Sequence, residues 1–226
     1  MINNNNNNNK EYSFTEFKLS ERHKKNSEKW FKKNAKFGFN VSNNNGSLKI
    51  LKYKEKREEK IILKKNNFII TAINKGEWGG GLIIQNDLGQ NKKILEDKSI
   101  VFIYEFDDKI YFIESLSHLF LEVGIIYELS LDDFSYKEVF DMEDAPDSFL
   151  VFENDLYAIS SNALFKVKRT KEKGFEKVII NKDIFFSICY PNSIAIIDDY
   201  LYVGMRGGLV SLNYLDKKNN WNYYTR

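Results

Sequence analysis

At 226 residues, 42% of them hydrophobic and 15% aromatic, the chain is long enough for one sizeable core or two small ones. A single cysteine, Cys189, excludes an internal disulfide; no apolar run of about 18 residues and no apolar core in the opening MINNNNNNNKEY exclude a membrane helix and a signal peptide, so a cytoplasmic protein is expected. The net charge of +2 hides a division, since residues 1–65 carry 17 Lys and Arg against 7 Asp and Glu and the rest 17 against 25, so that the two stretches can dock on each other or face two partners.

Residues 3–9 are all Asn, with no apolar group to bury, and a disordered tail is expected over 1–10. The next stretch, EYSFTEFKLSERHKKNSEKWFKKNAKF, is dense in Lys and Glu and free of Gly and Pro. It is expected to form a basic helical arm over 11–36, helical over residues 20–35, with Trp30 and Phe31 as its anchors. Lysines beside aromatics invite a nucleic-acid reading. Lys alternates with Glu and Arg is scarce, however, so the arm reads as a solvated face and nucleic acid is not an expected partner. From Phe37 the helix signals fade. Short segments rich in β-branched and aromatic residues, among them SLKILKY, FIITAI, SIVFIYEF, KIYFIES, YLYVGM and WNYY, are separated by Asn, Asp, Gly and Ser, which predicts a meander of strands over 37–226.

Several of these segments repeat one another. Tyr111, Tyr157 and Tyr202 stand 46 and 45 residues apart. An aliphatic residue (Ile110, Leu156, Leu201) precedes each, and Asp108, Asn154 or Asp199 comes three positions before. A second series, EEKII, NKKIL, YKEVF and FEKVI, with WNYYT in the equivalent place, follows polar turns; a third, GSLKILKY, GGLIIQ, ALFKV and GGLVSLNY, lies between. The acidic or amide pair reads as a tight turn, because Asp and Asn tolerate left-handed backbone angles, and the aliphatic residue and the Tyr beyond it point to opposite faces of a sheet. Four strands in about 45 residues make the blade of a β-propeller, a sheet too small to bury both its faces until it is stacked on others. The expected fold is all-β and β-propeller-like, with about five four-stranded blades near residues 36–62, 65–95, 99–140, 146–179 and 184–225, and a short basic helix before them. The first blade is partial; YSFTEF or the C-terminus is expected to supply its missing strand.

The stretch DDYLYVGMRGGLVSLNYLDKKNNWNYYT resembles a blade of the two-component-regulator type of propeller and, more loosely, of kelch-like propellers. INKGEWGGGLII shares the glycines, whereas the units around Tyr111 and Tyr157 lack Gly-Gly-Leu. The resemblance implies a circular scaffold that binds partners or ligands at one end, and it carries no catalytic residue across.

His23 and His118 have no Cys or His spaced to join them, the acidic pairs are accounted for by turns, and NKGEWGGGLII has no phosphate-cradle pattern, so neither metal nor cofactor is expected. Cys189, in the apolar FFSICYP, reads as a buried inert thiol. A bulged glycine hairpin does not explain Trp78 beside Glu77 and Lys75, a large aromatic in the turn between second and third strands, suited to contact. Equivalent turns bring Ser117-His118, Ser161-Asn162 and Arg206 to the same end, Arg206 either as a solvated turn charge or as a ligand clamp. The binding set is therefore Lys75, Glu77, Trp78, His118 and Arg206, with no catalytic residue assigned. The expected function is a non-catalytic binding module that takes a protein partner or a small ligand at this loop-lined end and no membrane. The alternatives are an immunity- or inhibitor-type protein that blocks an enzyme, and a propeller hydrolase or lyase using carboxylates. Catalysis would need two or more ionisable groups converging in a pocket with a shifted pKa; a binding module would show an exposed aromatic and charged patch instead.

Overall fold

The computed structural model describes residues 10–24, 26–34, 37–53, 58–119, 121–170, 174–182, 184, 189–215 and 220–226, so the Asn run lies outside the described residues. The chain divides into two compact units, a contiguous one of residues 56–184 and a discontinuous one of residues 1–55 and 185–226. In chain order the elements are β1 (Glu11–Tyr12), β2 (Lys18–Ser20), α1 (Glu28–Asn34), β3 (Gly38–Asn44) and β4 (Ser47–Tyr53). The contiguous unit follows with β5 (Glu59–Lys65), β6 (Phe68–Asn74), β7 (Gly80–Asn86), β8 (Asn91–Glu96), β9 (Ile100–Phe106), β10 (Lys109–His118), β11 (Leu121–Leu129), β12 (Tyr136–Asp141), β13 (Ser148–Phe152), β14 (Asp155–Ile159), β15 (Leu164–Thr170) and β16 (Gly174–Asn181). The last four are β17 (Ser193–Ile197), β18 (Tyr200–Met205), β19 (Gly208–Asn213) and β20 (Trp221–Thr225).

In the contiguous unit the strands fold as three four-stranded antiparallel sheets, β5 to β8, β9 to β12 and β13 to β16, each an up-and-down meander of consecutive strands. In the discontinuous unit β17 to β20 form a fourth meander, to which β2 adds a fifth strand beside β20. The fifth sheet is three-stranded, with β1 on the edge of the β3–β4 hairpin. The fold class is thus all-β and propeller-like, in five blades.

Every sheet opens on a two-residue hairpin. The loops are Asn45-Gly46, Asn66-Asn67, Asp107-Asp108, Glu153-Asn154 and Asp198-Asp199, bracketed by pairs such as Phe106 with Lys109 and Phe152 with Asp155. Both loop residues have positive φ at Asp107 (47°) and Asp108 (59°), and again at Glu153 (48°) and Asn154 (66°), the geometry that matches the right-handed twist of the flanking strands. Beyond the turn the side chains alternate. Ile110 and Phe112 of β10 pack with Ile70, Leu82 and Ile84 of the preceding sheet, while Tyr111 and Ile113 face Phe149, Leu156 and Phe165 of the next. Each such residue, fully buried between two sheets, contributes about 1.5–3 kcal/mol. In the discontinuous unit Tyr202 packs in a cluster with Phe39, Val41 and Ile50.

Four expectations are corrected. Among the described residues the α-helix is α1 alone; residues 18–20 are strand, because pairing with β20, sealed by the 2.7 Å hydrogen bond between the Ser20 and Thr225 hydroxyls, outweighs local helix propensity. Phe31 of α1 is exposed, so it anchors nothing. EEKII does not close the first blade: it is β5, the opening strand of the next. GSLKILKY is a second strand rather than a third, and the missing partner of the first blade comes from Glu11–Tyr12 as an outer strand.

Candidate active site

One end of the contiguous unit holds a cavity of about 280 Å³ lined by residues from all three sheets: Asn74, Gly76 and Glu77 from the first, Ser99, Val101, Ser115, Leu116, Ser117 and His118 from the second, and Pro146 and Asp147 leading into the third. The lining arises from two kinds of connection, the turns between second and third strands and the links that carry the chain from one sheet to the next. Its floor is a relay of hydrogen bonds. The Asn74 side-chain oxygen accepts from the Gly76 amide (2.8 Å) and from the Ser99 hydroxyl (2.7 Å). The Ser115 amide donates to the Ser99 carbonyl (3.1 Å) and its hydroxyl to the Pro146 carbonyl (2.8 Å), which ties the second sheet to the third. Ser99 and Ser115 are buried and fully engaged, so they are frame rather than reactive hydroxyls.

Above this floor stand three ionisable groups. His118, at the end of β10, places Nδ1 2.8 Å from Oε2 of Glu77. A carboxylate only accepts, so Nδ1 carries the hydrogen and Nε2 of a neutral imidazole is the remaining acceptor. Asp147 is exposed on the cavity side, yet protein crowds the other directions around its carboxyl. That crowding, with the nearby Asp144 carboxylate adding to it, raises its pKa to about 7. The two aspartates differ in company: Asp144 is buried and accepts from the Ala145 amide (3.0 Å), Asn162 Nδ2 (3.3 Å) and Lys177 Nζ (3.3 Å). Among the described residues no Lys or Arg lines the cavity. Lys75 is turned to Glu58 at 3.4 Å, and Lys98 to Glu114 at 2.6 Å. Among the described residues no group of three or more His, Cys, Asp or Glu is set to hold a metal ion.

The turn that carries Glu77 is built by glycine. A short 3-10 turn, Gly76–Trp78, is closed by Lys75 and Gly79, and Gly80 returns the chain with φ 155°, where a Cβ would stand 2.0 Å from the Ile73 carbonyl oxygen. Of the residues expected from the sequence, Glu77 and His118 meet in the cavity lining, and Lys75 and Trp78 flank it on the same turn. Arg206 lies in the discontinuous unit, where its guanidinium stacks 3.8 Å from the Tyr190 ring centroid. Cys189 is buried, and burial pushes its thiol up to about 11, away from nucleophilic use. Asp147, Asn74, Ser99 and Ser115 were missed. For Asp147 a signal existed: EDAPDS sets one of two prolines between two aspartates in a link between blades.

Among the described residues no helix is long and apolar enough to cross a membrane. No family model and no curated protein matches the chain. Among solved structures it is similar to a gluconolactonase from Xanthomonas campestris at 12% identity and a TM-score of 0.45, covering 70% of this chain and 58% of that one, a likeness too slight to assign chemistry. The expected non-catalytic binding module is corrected: Glu77, His118 and Asp147 line one cavity and the pKa of Asp147 is shifted, the mark set for catalysis.

Proposed function

We propose that the chain is a hydrolase acting on an ester-type acyl bond, with the cavity at the end of the contiguous unit as its active site. The observation that carries the reading is the meeting in one polar pocket of a Glu77-oriented histidine, His118, with Asp147, a carboxyl whose surroundings raise its pKa. His118 Nε2 takes a proton from water as its oxygen attacks the acyl carbon, and Glu77 holds the imidazole and balances the charge that it gains. Asp147, in its acid form, gives its proton to the leaving oxygen as the acyl bond breaks. Return of the proton from His118 to Asp147 resets the site. The likeness of the last blade to two-component-regulator-type and kelch-like blades supports the scaffold alone.

The test is acid release from a panel of simple esters and lactones, followed with a pH indicator. His118→Ala and Asp147→Asn should each lower kcat/KM by about 10²-fold or more. Wild-type activity should fall above about pH 7, where Asp147 loses its proton, and Asp147→Asn should lack that alkaline limb. No turnover of any acyl compound, or both variants as active as wild type, removes the proposal.

A further inference from the structure

The two turns that bring Glu77 and His118 into the cavity and form its rim also carry exposed apolar residues. Trp78 is 79% exposed, Leu119 85% and Leu121 52%. They are not scattered: Trp78 follows Glu77, Leu119 follows His118, and the 2.8 Å contact between Glu77 and His118 fastens their two turns to each other. The Gly76–Trp78 turn packs on the end of β10, and β10 and β11 run past the other strands of their sheet to bring Leu119 and Leu121 to the hairpin tip. Leu119 is held at φ 54°, a region that a branched residue enters only at a cost and that Asn or Gly would fill more easily. Three large apolar residues thus stand in water on the two turns that carry Glu77 and His118, next to a pocket whose lining is mostly amide, hydroxyl, imidazole and carboxyl beside Val101, Leu116 and Pro146.

We infer that the substrate is an uncharged amphiphile, whose polar acyl group enters the cavity while an alkyl or aromatic tail lies across Trp78, Leu119 and Leu121. This rests on the hydrolase reading for the identity of the head group, and on the rim alone for the tail. The absence of Lys and Arg from the described lining argues against an anionic head. The cavity, at about 280 Å³, is at the small end of the range for ligand pockets, so a long tail has to leave through the mouth.

Amides that mimic an ester without being readily cleaved separate the two readings. N-octylacetamide and N-ethylacetamide share a head group and differ by six methylenes. Calorimetric titration of the full chain should show the octyl compound binding at least about tenfold more tightly, the gain expected when part of those methylenes leaves water. Saturation with it should shift tryptophan emission to shorter wavelength. Trp78→Ala and Leu119→Asn should each reduce the preference to about twofold, and Leu88→Ala, an exposed leucine outside the rim, should leave it unchanged. A wild-type protein that binds both amides alike, or a preference that survives both rim variants, overturns the inference. Chain-length preference without turnover of any ester would instead sink the hydrolase and leave the tail site standing.

Discussion

A carboxyl whose pKa lies near 7 rather than near 3.8 makes the folded protein hold a proton that the unfolded chain gives up. Between those two values the folded state binds more protons than the unfolded one, so stability falls as pH rises through that window and the loss is complete above it. Asp147→Asn removes the titration. The melting temperature of the variant should match wild type near pH 4 and exceed it by a few degrees at pH 8; an equal difference at both pH values would show that Asp147 ionises as an ordinary aspartate. Local sequence could nominate Glu77 and His118, because the position of a turn in a repeat says which end of a blade it serves. It could not nominate the state of Asp147, which depends on protein mass contributed by other strands and on Asp144, held in place by Lys177 and Asn162 from farther along the chain.

The hairpins and the glycine turn were legible for a related reason. Asp, Asn and Gly are favoured where the backbone must be left-handed, and four of the five first hairpins use such pairs, the fifth being Glu153-Asn154. Blade membership was less legible. EEKII and NKKIL carry the same alternation although one opens a blade and the other closes one, and only pairing distinguishes them. Gly80 and Gly89 give the element scale a paired prediction. Gly80→Ala sets a Cβ 2.0 Å from Ile73 O and 2.8 Å from Lys98 O and should cost about 3 kcal/mol or more in urea unfolding. Gly89→Ala, at φ 76° with nothing within 4 Å, should cost only the backbone term of about 1–2 kcal/mol. Equal losses would mean that the Gly79–Gly81 stretch relaxes around the new methyl group.

For the molecule as a whole, residues 10–20 act as a brace within the discontinuous unit. β1 covers the edge of β4, β2 covers the edge of β20, and Arg226 reaches Glu16 at 3.1 Å. Deleting residues 10–20 should uncover two strand edges and promote association, visible by light scattering, while the cavity keeps all of its described lining, which comes from residues 74–147. Monomeric behaviour of the truncated chain at high concentration would count against the brace.

The brace also sets an order of events on the ribosome. Each sheet of the contiguous unit is made from neighbouring strands and can close as soon as its fourth strand leaves the exit tunnel, whereas Lys18–Ser20, which emerges before all of them, must wait for Trp221–Thr225 before it has a partner. The nascent protein therefore makes all three sheets of the pocket-bearing unit while Lys18–Ser20 is still unclaimed, open to chaperones and proteases until its distant mate arrives.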